Sequence, residues 1–89
     1  MRVEIVGDEV YVARRIKDIN KYDLKILKLF KSFNGQVEVP ITTITKELRT
    51  NNQFVYQYIE NTNKKIERYG MRITQKDKRN KTYILEEEE

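Results

Sequence analysis

Apolar positions recur along the chain at two periods. The ends alternate with a period of two and the middle repeats near 3.6. Val3-Glu4-Ile5-Val6 and Glu9-Val10-Tyr11-Val12 flank Gly7-Asp8, which predicts two strands joined by a two-residue hairpin turn. Arg14-Arg15 then leads into 16–19, a short third strand. Asn20 is a helix N-cap with Asp23 three residues on, a capping-box arrangement with Asp in the place of Glu. The first helix is predicted over 21–33. Ile26, Leu27, Phe30 and Phe33 face inward with Leu24 beside them, and Lys25, Lys28 and Lys31 line another face. Asn34-Gly35 stops it. A short strand over 36–39 ends at Pro40. The second helix is predicted over 43–49, capped by Thr42 or Thr43, with Ile44 and Leu48 inward. After the turn Thr50-Asn51-Asn52, with Thr50 or Asn51 as cap, a third helix runs over 52–69 to a tight Gly70. A hairpin with arms 71–74 and 82–85 follows, and the loop 75–81 lies between them.

The third helix has two distinct faces. Val55, Ile59, Thr62 and Ile66 fall at i, i+4, i+7 and i+11, one dry stripe. Gln53, Gln57, Glu60, Asn61, Lys64 and Arg68 lie opposite, with Tyr56 and Tyr58 on the flanks. The core stripe alone determines this wet face, with no assumption about a ligand.

Eighty-nine residues make one small domain, read as 1–85, with the strands 1–19, a three-helix core 20–69 and the hairpin 70–85. Residues 86–89 are four glutamates, read as an acidic tail. The net charge is +4, but without that tail 18 basic residues stand against 10 acidic ones, a net of +8. Segment 61–81 concentrates eight of the cations (Lys64, Lys65, Arg68, Arg72, Lys76, Lys78, Arg79, Lys81) against Glu67 and Asp77. Such a bias suits a polyanionic partner. The chain has no cysteine and no histidine. It therefore lacks disulfides, thiolate metal sites and the commonest general base. No glycine-rich phosphate loop or recognisable carboxylate pair is present, so no enzyme activity, cofactor or small-molecule substrate is expected. No apolar run approaches a membrane span, and a cytoplasmic protein is expected.

From residue 19 to 85 the chain resembles the winged helix-turn-helix effector domain of OmpR/PhoB-type response regulators. Ile19-Asn20-Lys21-Tyr22-Asp23-Leu24-Lys25-Ile26-Leu27-Lys28-Leu29-Phe30 is similar to that family's Leu-Thr-x-x-Glu-Phe-x-Leu-Leu-x-x-Leu. Val55-Tyr56-Gln57-Tyr58-Ile59-Glu60-Asn61-Thr62-Asn63-Lys64-Lys65-Ile66 follows its third helix, Val-x-Val-His-Ile-x-x-Leu-Arg-Lys-Lys-Leu, position for position. Asn34-Gly35 resembles its Asn-x-Gly turn, and Arg79-Asn80-Lys81-Thr82-Tyr83 its wing Arg-Gly-x-Gly-Tyr. The likeness departs from the family in four places. No receiver domain lies in these residues, the tryptophan near the end of the second helix is missing, the loop between helices 2 and 3 is very short, and Asn80 and Thr82 replace the wing glycines. The resemblance implies an α+β winged helix-turn-helix fold with three helices, a C-terminal hairpin wing and an N-terminal β-hairpin standing where that family places its small sheet. A small phage, archaeal-virus or plasmid regulator fits that plan, acting in the cytoplasm of its host.

The function expected from these features is sequence-specific binding of double-stranded DNA, with transcriptional regulation as its use. Gln53, Gln57 and Asn61 carry amides that match adenine N6/N7, Glu60 can accept from cytosine N4, and Lys64 can reach guanine. Arg68, Lys76, Lys78, Arg79 and Lys81 are candidates for the backbone, with Arg79 placed for the minor groove. Thr42, Thr43 and Lys46 could hold a phosphate at the start of the second helix, with plain capping as the equal alternative. The N-terminal hairpin offers an edge strand as the surface of a homodimer. Other readings stay open: a protein-interaction module of the same fold, a replication or partition factor, and RNA binding.

Overall fold

The computed structural model describes residues 4–12, 14–32 and 38–87. Among the described residues the fold is α+β, with three α-helices and two antiparallel sheets of three strands each. The first sheet has the order β1-β2-β3, from β1 (Glu4–Val6), β2 (Glu9–Val12) and β3 (Arg14–Arg15). Gly7, at φ 60°, makes the expected turn, where a side chain would be strained. The third strand is the arginine pair itself, not 16–19. Arg14 and Arg15 pair with Val12 and Tyr11, whereas Ile16 drops into the core and Lys17-Asp18 turns, with Asp18 at φ 64°. Apolar Ile16 and Ile19 resemble a strand in sequence, but one is buried and the other packs against the core beside the helix cap. Arg14 is occupied, its guanidinium 5.5 Å from the centroid of Tyr69.

Helix α1 (Lys21–Ser32) begins with a complete capping box. The Asn20 Oδ1 accepts from the Tyr22 and Asp23 N–H groups, each at 2.9 Å, and the Asp23 Oδ2 accepts from Asn20 N–H at 3.0 Å. Phe33, the stop Asn34-Gly35 and the first two residues of the strand 36–39 lie outside the described residues. What is described of that strand is β4 (Val39–Pro40). Helix α2 (Ile41–Leu48) begins two residues before the predicted start. Pro40 is its cap, and no side chain caps it, so neither Thr42 nor Thr43 serves as cap. Proline's fixed φ, here −64°, presets the entry, and the Ile41 N–H donates to the Lys81 carbonyl at 2.9 Å. Arg49 ends the helix in the left-handed region at φ 52°, with Thr50 N–H donating back to Thr45 O at 3.0 Å.

Helix α3 (Asn52–Ile66) is capped by Asn51, whose side chain accepts from Phe54 N–H at 3.2 Å. A 3-10 turn, Glu67–Tyr69, continues it to Gly70 at φ 79°. The hairpin strands β5 (Met71–Asp77) and β6 (Thr82–Glu87) are longer than predicted, and only 78–81 form the turn. β6 is the centre of the second sheet, order β4-β6-β5, so β5 is an edge. The glutamates are not simply a tail: Glu86 stands opposite Arg72 and Glu87 opposite Met71.

One core joins all of these elements. Val10 and Val12 of β2, Ile26, Leu27 and Phe30 of α1, Ile41, Ile44 and Leu48 of α2, and Met71, Ile73 and Tyr83 of the hairpin are buried. The α3 stripe Val55, Ile59, Thr62 and Ile66 is buried as the periodicity requires. Leu24 is only partly buried and packs against this core. Two polar bridges orient α3 within it. Asp23, 1% exposed, accepts from the Thr62 hydroxyl at 2.6 Å and from the Lys65 ammonium, joining α1 to α3. The Asn63 amide donates to Ile73 O at 2.9 Å and accepts from Ile73 N–H at 2.7 Å, joining α3 to β5.

Candidate nucleic-acid interface

A helix advances about 100° per residue, so the contacts of α3 can be followed around its axis. One side carries the core stripe. Turning away from it, the side bearing Tyr56 and Asn63 meets the hairpin. Asn63 holds Ile73, and the Tyr56 hydroxyl lies beside that of Tyr83. The opposite shoulder, with Tyr58 and Lys65, meets α1. Tyr58 stacks on Tyr22 with centroids 4.7 Å apart, and Lys65 pairs with Asp23. Among the described residues no element covers the remaining face. Gln53, Gln57, Glu60 and Lys64 are exposed there and Asn61 is half-exposed. Gln57 Nε2 donates to Asn61 Oδ1 at 3.2 Å, so two of the five form a pair.

The hairpin presents Lys76, Lys78, Arg79 and Lys81 at its turn end. Asp77 organises the turn: its Oδ1 accepts from the N–H groups of Arg79 (2.9 Å) and Asn80 (3.2 Å), and its Oδ2 from the Asn80 amide (2.9 Å). Donation from the backbone N–H groups of Asn80 and then Arg79 holds the Asp77 carboxyl below the usual carboxylate range. Asp77 is thus the acceptor around which Lys78, Arg79 and Asn80 are wrapped. Lys76 is on β5, not in the loop. Gln75 pairs with Tyr83 and Asp77 with Thr82, leaving Lys76 as the extra residue of a bulge. Lys81 adopts φ 51°, and its carbonyl holds the first N–H of α2. Lys76, Lys78, Arg79 and Lys81 are all exposed.

The structure therefore brings Lys81 to the start of α2, where Thr42 is exposed and Thr43 half-exposed, with Lys46 exposed one turn on. Thr42 uses its carbonyl to accept from the Thr45 hydroxyl at 2.8 Å. Arg68 is not part of this cluster. It sits in the 3-10 turn before β5, whose seven residues place the opposite end about 20 Å away. Tyr56 meets Tyr83, which faces Gln75 late in β5, while Asn63 meets Ile73 early in it. Helix α3 therefore runs antiparallel to β5, and its N-terminal half, with Gln53 and Gln57, lies toward the turn.

Of the eight cations of 61–81, two are engaged internally: Lys65 with Asp23, and Arg72 with Glu67 at 3.0 Å. Among the described residues no ion pair engages Lys64, Arg68, Lys76, Lys78, Arg79 or Lys81. Burial pushes the Tyr83 phenol up to about 12, and Tyr56 acts in the same direction. Sequence reasoning missed Asn63 as a structural latch. Its signal was faint, an amide on the hairpin-facing flank, seven residues after Tyr56. It also missed Phe54, which is 55% exposed in the first turn of α3. Among the described residues no group of three or more acidic, His or Cys side chains could hold a metal ion, and no helix is long and apolar enough to cross a membrane. No protein family matches the chain, and neither curated proteins nor solved structures match it.

Proposed function

We propose that the chain is a winged helix-turn-helix protein that binds double-stranded DNA in a sequence-specific way and regulates transcription. In this reading α2 and α3, joined through the short turn at 49–51, are the helix-turn-helix, and β5–β6 is the wing. The observation that carries it is the uncovered face of α3, whose amides lie at the end of the molecule where the wing carries its unpaired cations. A helix with one free polar face fits the major groove, about 12 Å wide. Gln53, Gln57, Glu60, Asn61 and Lys64 would address base edges. Lys76, Lys78, Arg79 and Lys81 would address the backbone or minor groove beside it, with Thr42, Thr43 and Lys46 on a neighbouring phosphate. Arg68 would contribute at most at the far margin.

A domain of this size covers few base pairs, so a homodimer on repeated half-sites suits the function. The edge strand β1, with Val6 64% exposed, is the proposed joining surface. Sedimentation at high concentration tests it, and a monomer both with and without DNA would remove it.

The deciding experiment is selection from random duplex DNA followed by titration of the enriched duplex at several salt concentrations. Four to six neutralised phosphates predict a log–log slope of about −4 to −5. Lys78→Ala with Arg79→Ala should weaken binding to all duplexes and flatten the slope by about 2. Absence of any enriched motif, or an affinity indifferent to salt, would overturn the proposal.

A further inference from the structure

Phe54 occupies the first turn of α3, where its backbone N–H donates to the Asn51 cap. The cap needs only that N–H and is indifferent to the side chain. The ring is 55% exposed and is not among the side chains packed on the core. On one shoulder stands Tyr58, four residues on, which is fixed by its stack on Tyr22. Gln57 is three residues on and Asn61 seven, so the ring borders the amide pair. In that pair Gln57 Nε2 and Asn61 Oδ1 satisfy each other. Gln57 Oε1 remains as an acceptor and Asn61 Nδ2 as a donor. Adenine offers the complement in the major groove, an N6 donor and an N7 acceptor. The one apolar feature on any base edge in that groove is the C5-methyl of thymine.

We infer that Phe54 is a specificity-determining residue that contacts a thymine C5-methyl group beside an adenine held by Gln57 and Asn61. The inference rests on the DNA-binding reading above and narrows it: the tightest duplexes carry A·T pairs opposite the first two turns of α3. The wing cations across the free face of α3 suit a polyanion, and the amides adjoining Phe54 make the partner of this apolar spot a base edge.

Uracil differs from thymine only by that methyl, so it isolates the contact. The tightest duplex from the random pool is synthesised once with thymine and once with deoxyuridine throughout. The wild type should bind the uracil duplex about fourfold more weakly for each methyl contacted, from the usual worth of one buried methyl-sized group. Phe54→Ala should bring the two affinities together, and Phe54→Leu, which keeps an apolar contact, should retain part of the difference. The exposure of Phe54 predicts an unchanged melting temperature in both variants, checked by circular dichroism. Equal affinity of the wild type for both duplexes would overturn the inference while leaving DNA binding intact. A thymine preference that survives Phe54→Ala would overturn it as well. Failure to bind either duplex would remove the DNA-binding reading and this contact together.

Discussion

Replacing Asp23 with alanine should cost about 3–5 kcal/mol of folding stability, the sum of three lost interactions. The capping-box bond from Asn20 N–H is worth about 1 kcal/mol. The Thr62 hydroxyl, at 2.6 Å from a carboxylate and fully buried, adds about 1.5–3 kcal/mol. Lys65, whose side chain is 24% exposed, turns outward once unpaired, so its loss adds only about 0.5–1 kcal/mol. A domain of this length has roughly 5–15 kcal/mol in all, and each kcal/mol moves its melting temperature by about 4–8 °C. The variant should therefore melt at least about 12 °C below the wild type in a far-ultraviolet circular dichroism scan. Thr62→Val, close to isosteric, should lose part of this and couple to Asp23→Ala by about 1 kcal/mol or more in a double-mutant cycle. A drop below about 4 °C for Asp23→Ala, or additive behaviour of the pair, would refute the idea that this carboxylate joins α1 to α3.

Three further outcomes follow from particular side chains. Asp77 has a lowered pKa, so its hold on the turn is complete above the pKa of a free Asp and is lost as the pH falls through the lower folded value. The amide resonances of Arg79 and Asn80 should shift with that acid midpoint, and a midpoint at or above that of a free Asp would contradict it. Tyr83 has a raised pKa, so the stability it contributes is present below pH about 10 and declines as the pH rises through about 12. Tyr83→Phe should remove the last step of the tyrosinate absorbance titration, and an unaltered curve would count against the burial of that phenol. Arg49→Gly should stabilise by about 0.5–1 kcal/mol, since a left-handed residue at φ 52° is relieved by losing its Cβ. A lower urea midpoint would show that the arginine side chain contributes there instead.

Local chemistry was legible in the sequence, and pairing between distant segments was not. The buried stripe of α3, the Asn20–Asp23 box and the Gly70 stop each depend on residues a few positions apart, so their spacing announces them. The start of α2 depends on the Lys81 carbonyl, forty residues away, which no spacing rule encodes. The hairpin outgrew its predicted arms because Gln75, Lys76 and Asp77 are polar, yet pairing with β6 carries the strand through them. Likewise Glu86 and Glu87 read as tail by composition but complete the ladder opposite Arg72 and Met71. The outer face of α3 was found correctly because the core determines it. Composition alone did not reveal which cations of 61–81 stay free, since Lys65 and Arg72 are engaged by Asp23 and Glu67.

The amide of Asn63 has a consequence for how the protein behaves when concentrated. β5 is an outer strand, and Ile73 turns both its N–H and its carbonyl away from β6. Left bare, such a pair is a template on which another chain's strand can add. Asn63 supplies a donor and an acceptor in the positions that an incoming strand would use. At Ile73 the edge of β5 is thus closed to strand addition by one side chain of the neighbouring helix.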